Sequence, residues 1–566
     1  MKKLINDPRH VVREMLEGLV ALHPGLAILA DHDVVLRSDL PEPAARRVAV
    51  ISGGGAGHEP AHAGYVGAGM LHAAVSGDVF TSPSVDAVLA AIHAAAGPAG
   101  ALLVVKNYTG DRLNFGLAAE LARASGIPTE IVVVADDVAL RETVPEERRR
   151  GIAGTVLIHK IVGALAEQGA SLAEIAAVGR SAVAGLGTMG VALGACTIPA
   201  VGTPGFTLGE DEIELGLGIH GEAGVARARI APADAITDRL LDTILTDRGF
   251  GAGARVALLV NNLGGTTTME LSVVARRALA RLRERGLVVE RAWAGTLLSA
   301  LEMPGCSLSV MKVDDDSLGL LDRATAAPAW PGSGVVPAAM AIVAAGKAQA
   351  MDESLISADA LGAVIRRAAL AAASALTAAE PRLTELDSQA GDGDLGISMS
   401  RAAAAVQALC ARDESRDAAA VLALLAAELR RVIGGSSGPF YAVGLLRAAR
   451  RLAEGPSAGL PDWADAFAAG VAAVSELGGA RAGDRTMLDA LLPAAEALSQ
   501  AAAHKVPAAQ AWDLAAEAAQ AGAEATTTMK PRLGRASYLG ERALGVPDGG
   551  AVAVSIWLAA AAASAG

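Results

Sequence analysis

The stretch Leu386-Asp387-Ser388-Gln389-Ala390-Gly391-Asp392-Gly393-Asp394-Leu395-Gly396 places three aspartates within eight residues, with glycines between them. Glycine adopts positive φ where a side chain would obstruct the backbone, so the chain can turn sharply here and the short carboxylates can converge. Apolar, alanine-rich sequence flanks the stretch on both sides. The pattern predicts an acidic bend between two helices, suited to a hard cation that keeps positions open for phosphate oxygens.

A calcium loop is the alternative interpretation of these aspartates. The stretch is shorter than an EF-hand loop, and no bidentate glutamate occupies its last position. A magnesium site that nucleotide phosphates complete fits the pattern better, with Asp387, Asp392 and Asp394 as the candidate ligands.

Composition and charge bound the class of protein. The chain has 566 residues, too many for one hydrophobic core, so we expect two or more domains. A net charge of −13 and a pI near 5.3 argue against a nucleic-acid or anionic-membrane partner. The three cysteines, Cys196, Cys306 and Cys410, show neither metal nor disulfide spacing, which favours a reducing cytoplasm. The N-terminus does not resemble a signal peptide, and the alanine-rich tail 551–565 is typical of a packed helix rather than a membrane span.

Short apolar strands alternate with alanine-rich helices in the first half, which predicts an α/β domain. The candidate strands are residues 47–52, 102–106, 130–135, 213–219, 255–260 and 287–293. The first runs into the glycine cluster 53–57, where a tight strand-to-helix turn is the alternative to a ligand site. Lys106 and Asp111 follow the second, at the kind of strand end where open α/β sheets bind ligands. A glycine-rich segment near 185–190 predicts two subdomains, about 1–183 and 184–328.

The second half contains no β-branched strand runs and predicts an all-α domain. Eight antiparallel helices in a closed bundle or barrel are expected, at about 358–380, 398–411, 416–432, 437–454, 462–476, 485–503, 508–525 and 549–563. Polar residues concentrate at the helix starts, whose free N–H groups bind phosphate readily. Ser436 has an alternative role as a simple N-cap. A Pro/Gly/Ala-rich segment predicts a linker at 329–352, between domains 1–328 and 353–566.

Taken together, these motifs resemble the single-chain, ATP-dependent dihydroxyacetone (glycerone) kinases over nearly the whole length. The matching segments are Lys2 to Asp7, Ser52 to Pro60, Phe80 to Pro83, Lys106 to Asp111, Gly218 to Glu222, the Gly-Asp-Gly-Asp loop, Gly434 to Pro439, Gly483 to Leu488 and Gly534 to Arg542. The order of the domains, substrate domain first and nucleotide domain second, also matches.

The resemblance implies roles for residues of the first domain. His220 would attack the ketone carbon of the substrate and hold it as a covalent hemiaminal, which orients a small, flexible triose. His58 and Asp111 would act as acid and base, with Lys106 in support. Backbone N–H groups of Gly54 and Gly55 would hold substrate oxygens.

The resemblance also implies a nucleotide site in the second domain. Asp387, Asp392 and Asp394 would hold two Mg²⁺ ions that bridge the ATP phosphates. The phosphates and the rest of the nucleotide would contact Leu395, Gly396, Ile397, Ser398, Ser436, Ser437, Gly478, Met487, Arg535, Asp548, Gly549 and Gly550. Departures from the family pattern occur at Leu395, Ser436, Val546 and Gly549.

Several functions remain open within this resemblance. The acceptor is dihydroxyacetone or a closely related short-chain ketose or aldose, and erythrulose is the four-carbon alternative. Some family members cyclise FAD, and split relatives act as phosphocarrier-dependent or non-catalytic binding subunits. The resemblance further implies a soluble, cytoplasmic homodimer without nucleic-acid or membrane partners. Because ketose and nucleotide sites lie in different domains, those domains are expected to meet within one chain or, if exchanged, between chains.

Overall fold

A computed structural model describes residues 2–343, 360–391, 393–411, 417–435, 437–454, 459–533, 535–538 and 540–564. The chain divides into two compact units, Met1–Ile342 and Val343–Gly566. The first is α/β and the second is helical, as the sequence predicts.

The first unit contains two six-stranded sheets. The strands are β1 (Leu26–Ile28), β2 (Val34–Arg37), β3 (Ala49–Ala56), β4 (Ala73–Val79), β5 (Ala101–Lys106), β6 (Thr129–Val134), β7 (Leu186–Ala192), β8 (Glu212–Leu215), β9 (Ala226–Arg229), β10 (Arg255–Asn262), β11 (Val288–Gly295) and β12 (Gly305–Lys312). The first sheet has the order β1-β2-β4-β3-β5-β6 and is parallel from β4 to β6. The second has the order β11-β10-β12-β7-β8-β9 and is antiparallel except between β10 and β11.

Helices cover the sheets and several begin with strong sequence signals. They are α1 (Val11–Leu22), α2 (Val85–Ala95), α3 (Thr109–Ala124), α4 (Thr155–Glu167), α5 (Leu172–Ala184), α6 (Ala233–Arg248), α7 (Thr268–Glu284) and α8 (Asp315–Leu321). Capping boxes start α5 at Ser171 and α7 at Thr267, where a hydroxyl and a glutamate satisfy the free N–H groups. Strand β5 is buried along its whole length because helices pack on both faces of the first sheet.

The glycine cluster lies inside a strand instead of following one, which corrects the predicted end at Ser52. Strand β3 continues through Gly53, Gly54 and Gly55, and these residues pair with β4. A Cβ atom on Gly53 would lie 2.3 Å from the carbonyl oxygen of Val75, so the neighbouring backbone leaves no room for a side chain there. The cluster therefore lets two strands, and the loops beyond them, approach closely.

The strand predicted at 213–219 is also shorter than expected. It ends at Leu215, so His220 lies in the loop beyond the strand and not at its last residue. Gly216 and Gly221 both have positive φ, which turns the backbone out of the ladder.

The predicted linker begins as chain that is packed against the first unit. The Ala329 N–H donates to the Gly64 carbonyl, and the Trp330 ring lies 4.9 Å from the Trp293 ring. The Ala292 N–H donates to the Gly334 carbonyl. Apolar burial of Trp330 overrides the Pro/Gly composition here, whereas residues 344–352 lie outside the described part of the chain.

The second unit contains nine described α-helices. They are α9 (Ala360–Ala378), α10 (Glu380–Ala390), α11 (Leu395–Cys410), α12 (Ala418–Val432), α13 (Ser437–Ala453), α14 (Leu460–Gly478), α15 (Leu488–Ala503), α16 (Ala508–Ala525) and α17 (Gly549–Ser564). Each of α11 to α17 packs against the next, α9 packs against α11, and α17 returns to α9. Eight helices therefore form a closed ring, as predicted, and α10 is an additional helix.

Proline explains the additional helix. Pro381 lies in the first turn of α10, where its missing N–H and fixed φ are tolerated, whereas inside a continuous helix it would break the hydrogen-bond pattern. The predicted segment 358–380 therefore ends at Ala378, and α10 carries the chain to Gly391.

One described segment, Leu361–Ala378, is long and apolar enough to cross a membrane by length and composition alone. It forms most of α9, which packs against α11, α12 and α17 in the ring. Helices at the core of a bundle have the same composition.

The crowding at Gly53 predicts a stability effect. Gly53→Ala should lower the free energy of unfolding of the first unit by about 1 to 3 kcal/mol, because the new methyl group overlaps the Val75 carbonyl. Thermal unfolding followed by intrinsic fluorescence measures the change. Gly116→Ala on α3 is the matched control, since no heavy atom lies within 4 Å of its added Cβ, and it should leave stability unchanged or slightly raised. Equal melting temperatures for the two variants would contradict the argument.

Candidate active site and nucleotide cavity

His220 lies at the tip of the tight loop between β8 and β9. The Gly218 N–H donates to the Glu222 carbonyl at 3.1 Å, which closes the loop around the histidine. The carboxylate of Glu222 contacts His220 twice: Oε2 accepts the backbone N–H at 2.9 Å, and Oε1 lies 2.8 Å from Nδ1. When the imidazole is neutral, the carboxylate beside Nδ1 favours the tautomer with the proton on that nitrogen, which leaves the lone pair on Nε2.

The ionisation of Glu222 suits this role. Burial raises its pKa, but the hydrogen bond and charge of His220 outweigh burial and lower the pKa to about 2. The carboxylate is therefore charged at neutral pH and accepts hydrogen bonds on both oxygens. This arrangement fixes the orientation of the imidazole ring.

Three aromatic rings surround His220 on its other sides. The ring centroids of Tyr108, His58 and Phe80 lie 4.7, 4.9 and 5.2 Å from that of His220. The Tyr108 hydroxyl is buried without a partner among the described residues, and burial raises its pKa well above the ordinary value. The phenol therefore remains neutral, and its ring limits the space beside the imidazole.

His58 is held from the opposite side of the unit. Its Nδ1 lies 2.8 Å from the carbonyl oxygen of Ser299, in the loop between β11 and β12, so Nδ1 carries the proton. Its Nε2 is buried with no hydrogen-bond partner in the described chain. Burial, then the charges of Lys106 and His220, lower the pKa of His58 well below the ordinary value. His58 is therefore a neutral imidazole whose Nε2 carries an unshared lone pair.

Lys106, the last residue of β5, and Asp111, in the first turn of α3, complete the cluster. Lys106 is fully buried, and its Nζ has no hydrogen-bond partner among the described residues; the same holds for Oδ1 of Asp111. Burial lowers the pKa of Lys106, while the nearby carboxylates of Asp111 and Glu222 oppose that shift. A Cβ atom on Gly54 would lie 3.0 Å from Nζ, so glycine lets the backbone approach the ammonium group.

These groups can capture a small carbonyl compound. Buried polar groups without partners are rare and costly, and four occur here: His58 Nε2, Tyr108 OH, Lys106 Nζ and Asp111 Oδ1. A hydroxyl-bearing ligand would satisfy donors and acceptors together, and His220 Nε2 supplies a nucleophile. The site thus presents a candidate nucleophile beside groups that can donate or accept protons.

A second cavity, of about 330 Å³, opens in the helical unit. It is lined by residues from the starts of α11, α13, α15 and α17 and from the end of α10. Ten predicted nucleotide or metal residues line it: Asp387, Asp394, Leu395, Ser398, Ser437, Gly478, Met487, Asp548, Gly549 and Gly550.

The described aspartates lie beside the start of α11. Asp387 is in the last turn of α10, and its Oδ2 accepts the Leu395 N–H at 3.1 Å. Asp394 precedes α11 and also lines the cavity. Asp392 lies outside the described residues, and within the described part no group of three potential metal-ligating side chains occurs. The three-aspartate set remains a prediction, although two carboxylates at the mouth of a cavity suit a hard cation.

Two predicted phosphate-contact residues do not line the cavity. Gly396 faces α10, where a Cβ would lie 2.0 Å from Oγ1 of Thr384, and the Ile397 side chain is half exposed. Gly396 and Ile397 follow Leu395 by one and two positions, so the rotation of the helix directs their side-chain positions away from the cavity. Ser436 and the side chain of Arg535 lie outside the described structure.

Asp548 and Arg485 shape the far side of this cavity. Asp548 Oδ1 accepts the Ala551 N–H at 2.9 Å, and burial raises its pKa to about 6. Arg485 is buried and donates to the carbonyls of Ala543 and Val546 at 3.0 and 2.8 Å. Arg485 thus ties the start of α15 to the loop before α17.

Comparison with known proteins follows the same division of the chain. Residues 17–329 match the Dak1 domain and residues 389–563 match the DAK2 domain. The chain belongs to the dihydroxyacetone kinase family. A crystal structure of the dihydroxyacetone kinase from C. freundii in complex with AMP-PNP and Mg²⁺ is similar, with a TM-score of 0.64 and 36% identity, over 100% of this chain and 99% of that one.

Relatives within the dihydroxyacetone kinase family are named for different activities. The chain is 45% identical to the triokinase/FMN cyclase of Homo sapiens over 99% of this chain and 98% of that protein. It is 37% identical to the D-erythrulose kinase of Mycolicibacterium smegmatis over 98% and 97%, respectively.

The structure brings together the predicted residues of the first site and adds others that sequence reasoning missed. Glu222, Tyr108, Phe80 and Ser299 touch His220 or His58. Glu222 and Tyr108 lie within two of the segments that match the family, so their position next to predicted site residues could have identified them. Ser299 contributes a backbone carbonyl, which no residue type reveals.

A buried histidine pair behind the site gives a pH prediction. His62 Nδ1 lies 2.9 Å from His159 Nε2, and burial, then the charge of Lys106, lower the pKa of His159 to about 3. As pH falls through about 6.5, the unfolded chain gains a proton that the folded chain refuses. His159 therefore contributes stability above pH 6.5 that is lost as pH falls toward 3.

His159→Gln should remove this dependence. The fall in unfolding free energy between pH 7 and pH 4.5 should shrink by about 2 to 3 kcal/mol relative to the parent, measured by denaturant titration at each pH. His10→Gln, at an exposed position, is the control and should follow the parent curve. Parallel pH curves for His159→Gln and the parent would argue against a neutral buried imidazole.

Proposed function

We propose that this protein is an ATP-dependent kinase that transfers the γ-phosphoryl group to a hydroxyl of dihydroxyacetone or a closely related short-chain ketose. The observation that carries the proposal is the His220 site, where an oriented imidazole faces buried polar groups that lack partners. Membership of the family and the nucleotide cavity in the second unit support the same conclusion.

Capture of the ketose begins at His220. Nε2 attacks the C2 carbonyl carbon, the C=O π electrons move to oxygen, and the ammonium group of Lys106 supplies the proton that yields the hemiaminal hydroxyl, while the neutral His58 accepts a hydrogen bond at Nε2. Glu222 stabilises the positive charge that develops on the ring, as its carboxylate contacts Nδ1. Glycerol has no carbonyl, so this step selects ketoses and aldoses over polyols.

Phosphoryl transfer then uses the captured hydroxyl. Asp111 accepts the hydroxyl proton while the oxygen bonds to the γ-phosphorus and the bond to the β-phosphate oxygen breaks. Asp387 and Asp394, with Asp392, would hold Mg²⁺, two ions in our proposal, and the metal would neutralise phosphate charge during the transfer. Leu395, Ser398 and Ser437 lie at the starts of α11 and α13, whose N–H groups suit phosphate oxygens.

The relatives suggest an alternative acceptor and a second activity. The relative named D-erythrulose kinase favours erythrulose as the alternative acceptor, since the hemiaminal needs only the carbonyl and its neighbouring hydroxyls. The relative named triokinase/FMN cyclase favours cyclisation of FAD in the nucleotide site as a second activity. A panel of dihydroxyacetone, glyceraldehyde and both erythrulose enantiomers, compared by kcat/KM, ranks the acceptors.

His220→Ala tests the proposed chemistry. The purified parent with ATP and Mg²⁺ should phosphorylate a ketose from the panel and carry the mass of one covalently bound ketose. The variant should lose that mass increment and at least about 1000-fold of kcat/KM, since both attachment and orientation are lost. Intact-protein mass spectrometry and a coupled ADP assay measure these quantities.

FAD with Mn²⁺ provides the control, because His220→Ala leaves the nucleotide cavity intact. Any cyclase activity of the parent should persist in the variant. An undiminished ketose adduct would remove His220 from its role. Phosphorylation that requires a phosphocarrier protein instead of ATP would overturn the kinase proposal.

We further propose a cytoplasmic homodimer. The three cysteines are free and buried, in keeping with a reducing compartment. Sedimentation velocity should give about twice the chain mass of 56.7 kDa. If domains exchange between chains, mixing His220→Ala with Asp387→Asn should restore part of the activity. In the mixed dimer, the intact ketose site of one chain would then work with the intact nucleotide site of the other. Without exchange, each active site would contain one of the two substitutions. A monomer at assay concentration would contradict the assembly.

A further inference from the structure

The His220 site draws its residues from both sheets of the first unit. Lys106 ends β5 and Asp111 begins α3, next to the first sheet, whereas His220 and Glu222 lie in a loop of the second sheet. The attacking nitrogen must therefore be held in register with the acid and base groups by contacts between the sheets.

Arg150 makes such a contact. Its Nε donates to Oδ2 of Asp137 at 2.7 Å, just beyond the end of β6 in the first sheet. Its Nη2 donates to the carbonyl of Gly216 at 2.7 Å, at the base of the His220 loop. One guanidinium group thus joins the two sheets at the point where the nucleophile loop begins.

The same side chain also approaches Gly218, in the loop that carries His220, where the carboxylate of Glu222 lies nearby. A Cβ atom added to Gly218 would lie 2.6 Å from Nη1 of Arg150 and 2.1 Å from Oε2 of Glu222. Both charged groups therefore occupy the space that a side chain at position 218 would fill. Glycine at 218 is required for this approach, because any side chain would displace one of them.

The charges of this cluster fit together. The Asp137 side chain is 1% exposed and that of Arg150 is 12% exposed, so the pair is nearly dry. The other oxygen of Asp137 accepts the Ala139 N–H at 3.0 Å, which fixes the carboxylate. An anchored anion on one side and a carbonyl on the other leave the guanidinium little freedom.

We infer that Arg150, anchored by Asp137, is a positioning residue for the reaction at His220. It holds the loop of residues 216–222 so that Glu222 keeps the imidazole aimed at the ketose carbonyl. Arg150 does not touch the reacting atoms. The inference rests on the proposed function, since it concerns how efficiently His220 captures a ketose.

Arg149 offers a matched control one residue away. Its Nη1 lies 2.9 Å from Oδ2 of Asp247 on α6, and both side chains are less than a tenth exposed. Deleting either arginine therefore breaks one buried ion pair and should lower the melting temperature to a similar extent. Of the two arginines, only Arg150 has a hydrogen bond to the His220 loop among the described residues.

The experiment compares Arg150→Met with Arg149→Met in the full-length chain. Arg150→Met should misplace the nucleophile. The KM for ketose should therefore rise about 10- to 100-fold, and the fraction of chain that carries the ketose mass should fall by a similar factor. The KM for ATP should stay within about twofold, and Arg149→Met should keep parental values for both substrates. Arg150→Lys keeps the charge but not both hydrogen bonds, and should recover part of the capture.

Each outcome decides one question. Ketose KM and adduct fraction equal in the two Met variants would overturn the positioning role of Arg150. Should Arg150→Met fail to fold, the comparison moves to Arg150→Lys against Arg149→Lys, and parental capture by Arg150→Lys would overturn the role. A parent chain that forms no ketose adduct at all would instead overturn the proposed function.

Discussion

The buried ammonium group of Lys106 sets the electrostatic conditions of the first site. No hydrogen-bond partner for it occurs in the described chain, so its charge acts on whatever ionisable groups lie nearby. Burial, and then the charge of Lys106, lower the pKa of His58, His62 and His159, which keeps these imidazoles neutral. The carboxylates of Asp111 and Glu222 oppose the lowering of the Lys106 pKa by burial. The absence of a side chain on Gly54 leaves room for the ammonium group. The neutral His58 therefore keeps a lone pair on Nε2 that can accept a hydrogen bond from a ligand.

The fold was largely predictable because strands and helices have different local patterns of apolar residues, and glycine and proline interrupt those patterns. Strands β5, β6 and β10 and most helices of the second unit lie within a few residues of their predicted positions, since β-branched runs mark the strands and alanine-rich segments mark the helices. The strand through Gly53 to Gly55 was not predictable from propensity, because its stability comes from pairing with β4 and not from its own residues. The end of β8 was missed for a similar reason, as backbone turns at glycine decide it.

The reactive groups of the candidate site were predictable from the sequence, but the residues that hold those groups in place were not. His220, His58, Lys106 and Asp111 stand in recognisable motifs, and the structure brings them together. The Ser299 carbonyl that orients His58 and the Arg150 bridge come from distant parts of the chain, and neither carries a local sequence signal. In the second unit, Gly396 and Ile397 illustrate a limit of motif transfer: a motif names adjacent residues, but a helix presents only some of them to the cavity.

The crowded glycines of β3 have a consequence for how this enzyme family can diversify. At Gly53 and Gly55 an added side chain would collide with backbone atoms less than 3 Å away, so neither position can be altered without moving a strand or loop. Side-chain changes at these two positions are therefore poorly tolerated. In the proposed ketose site, the rings of Phe80 and Tyr108 lie beside His220, and smaller side chains there would leave more volume for a longer acceptor. Directed evolution toward longer ketoses should begin at those rings.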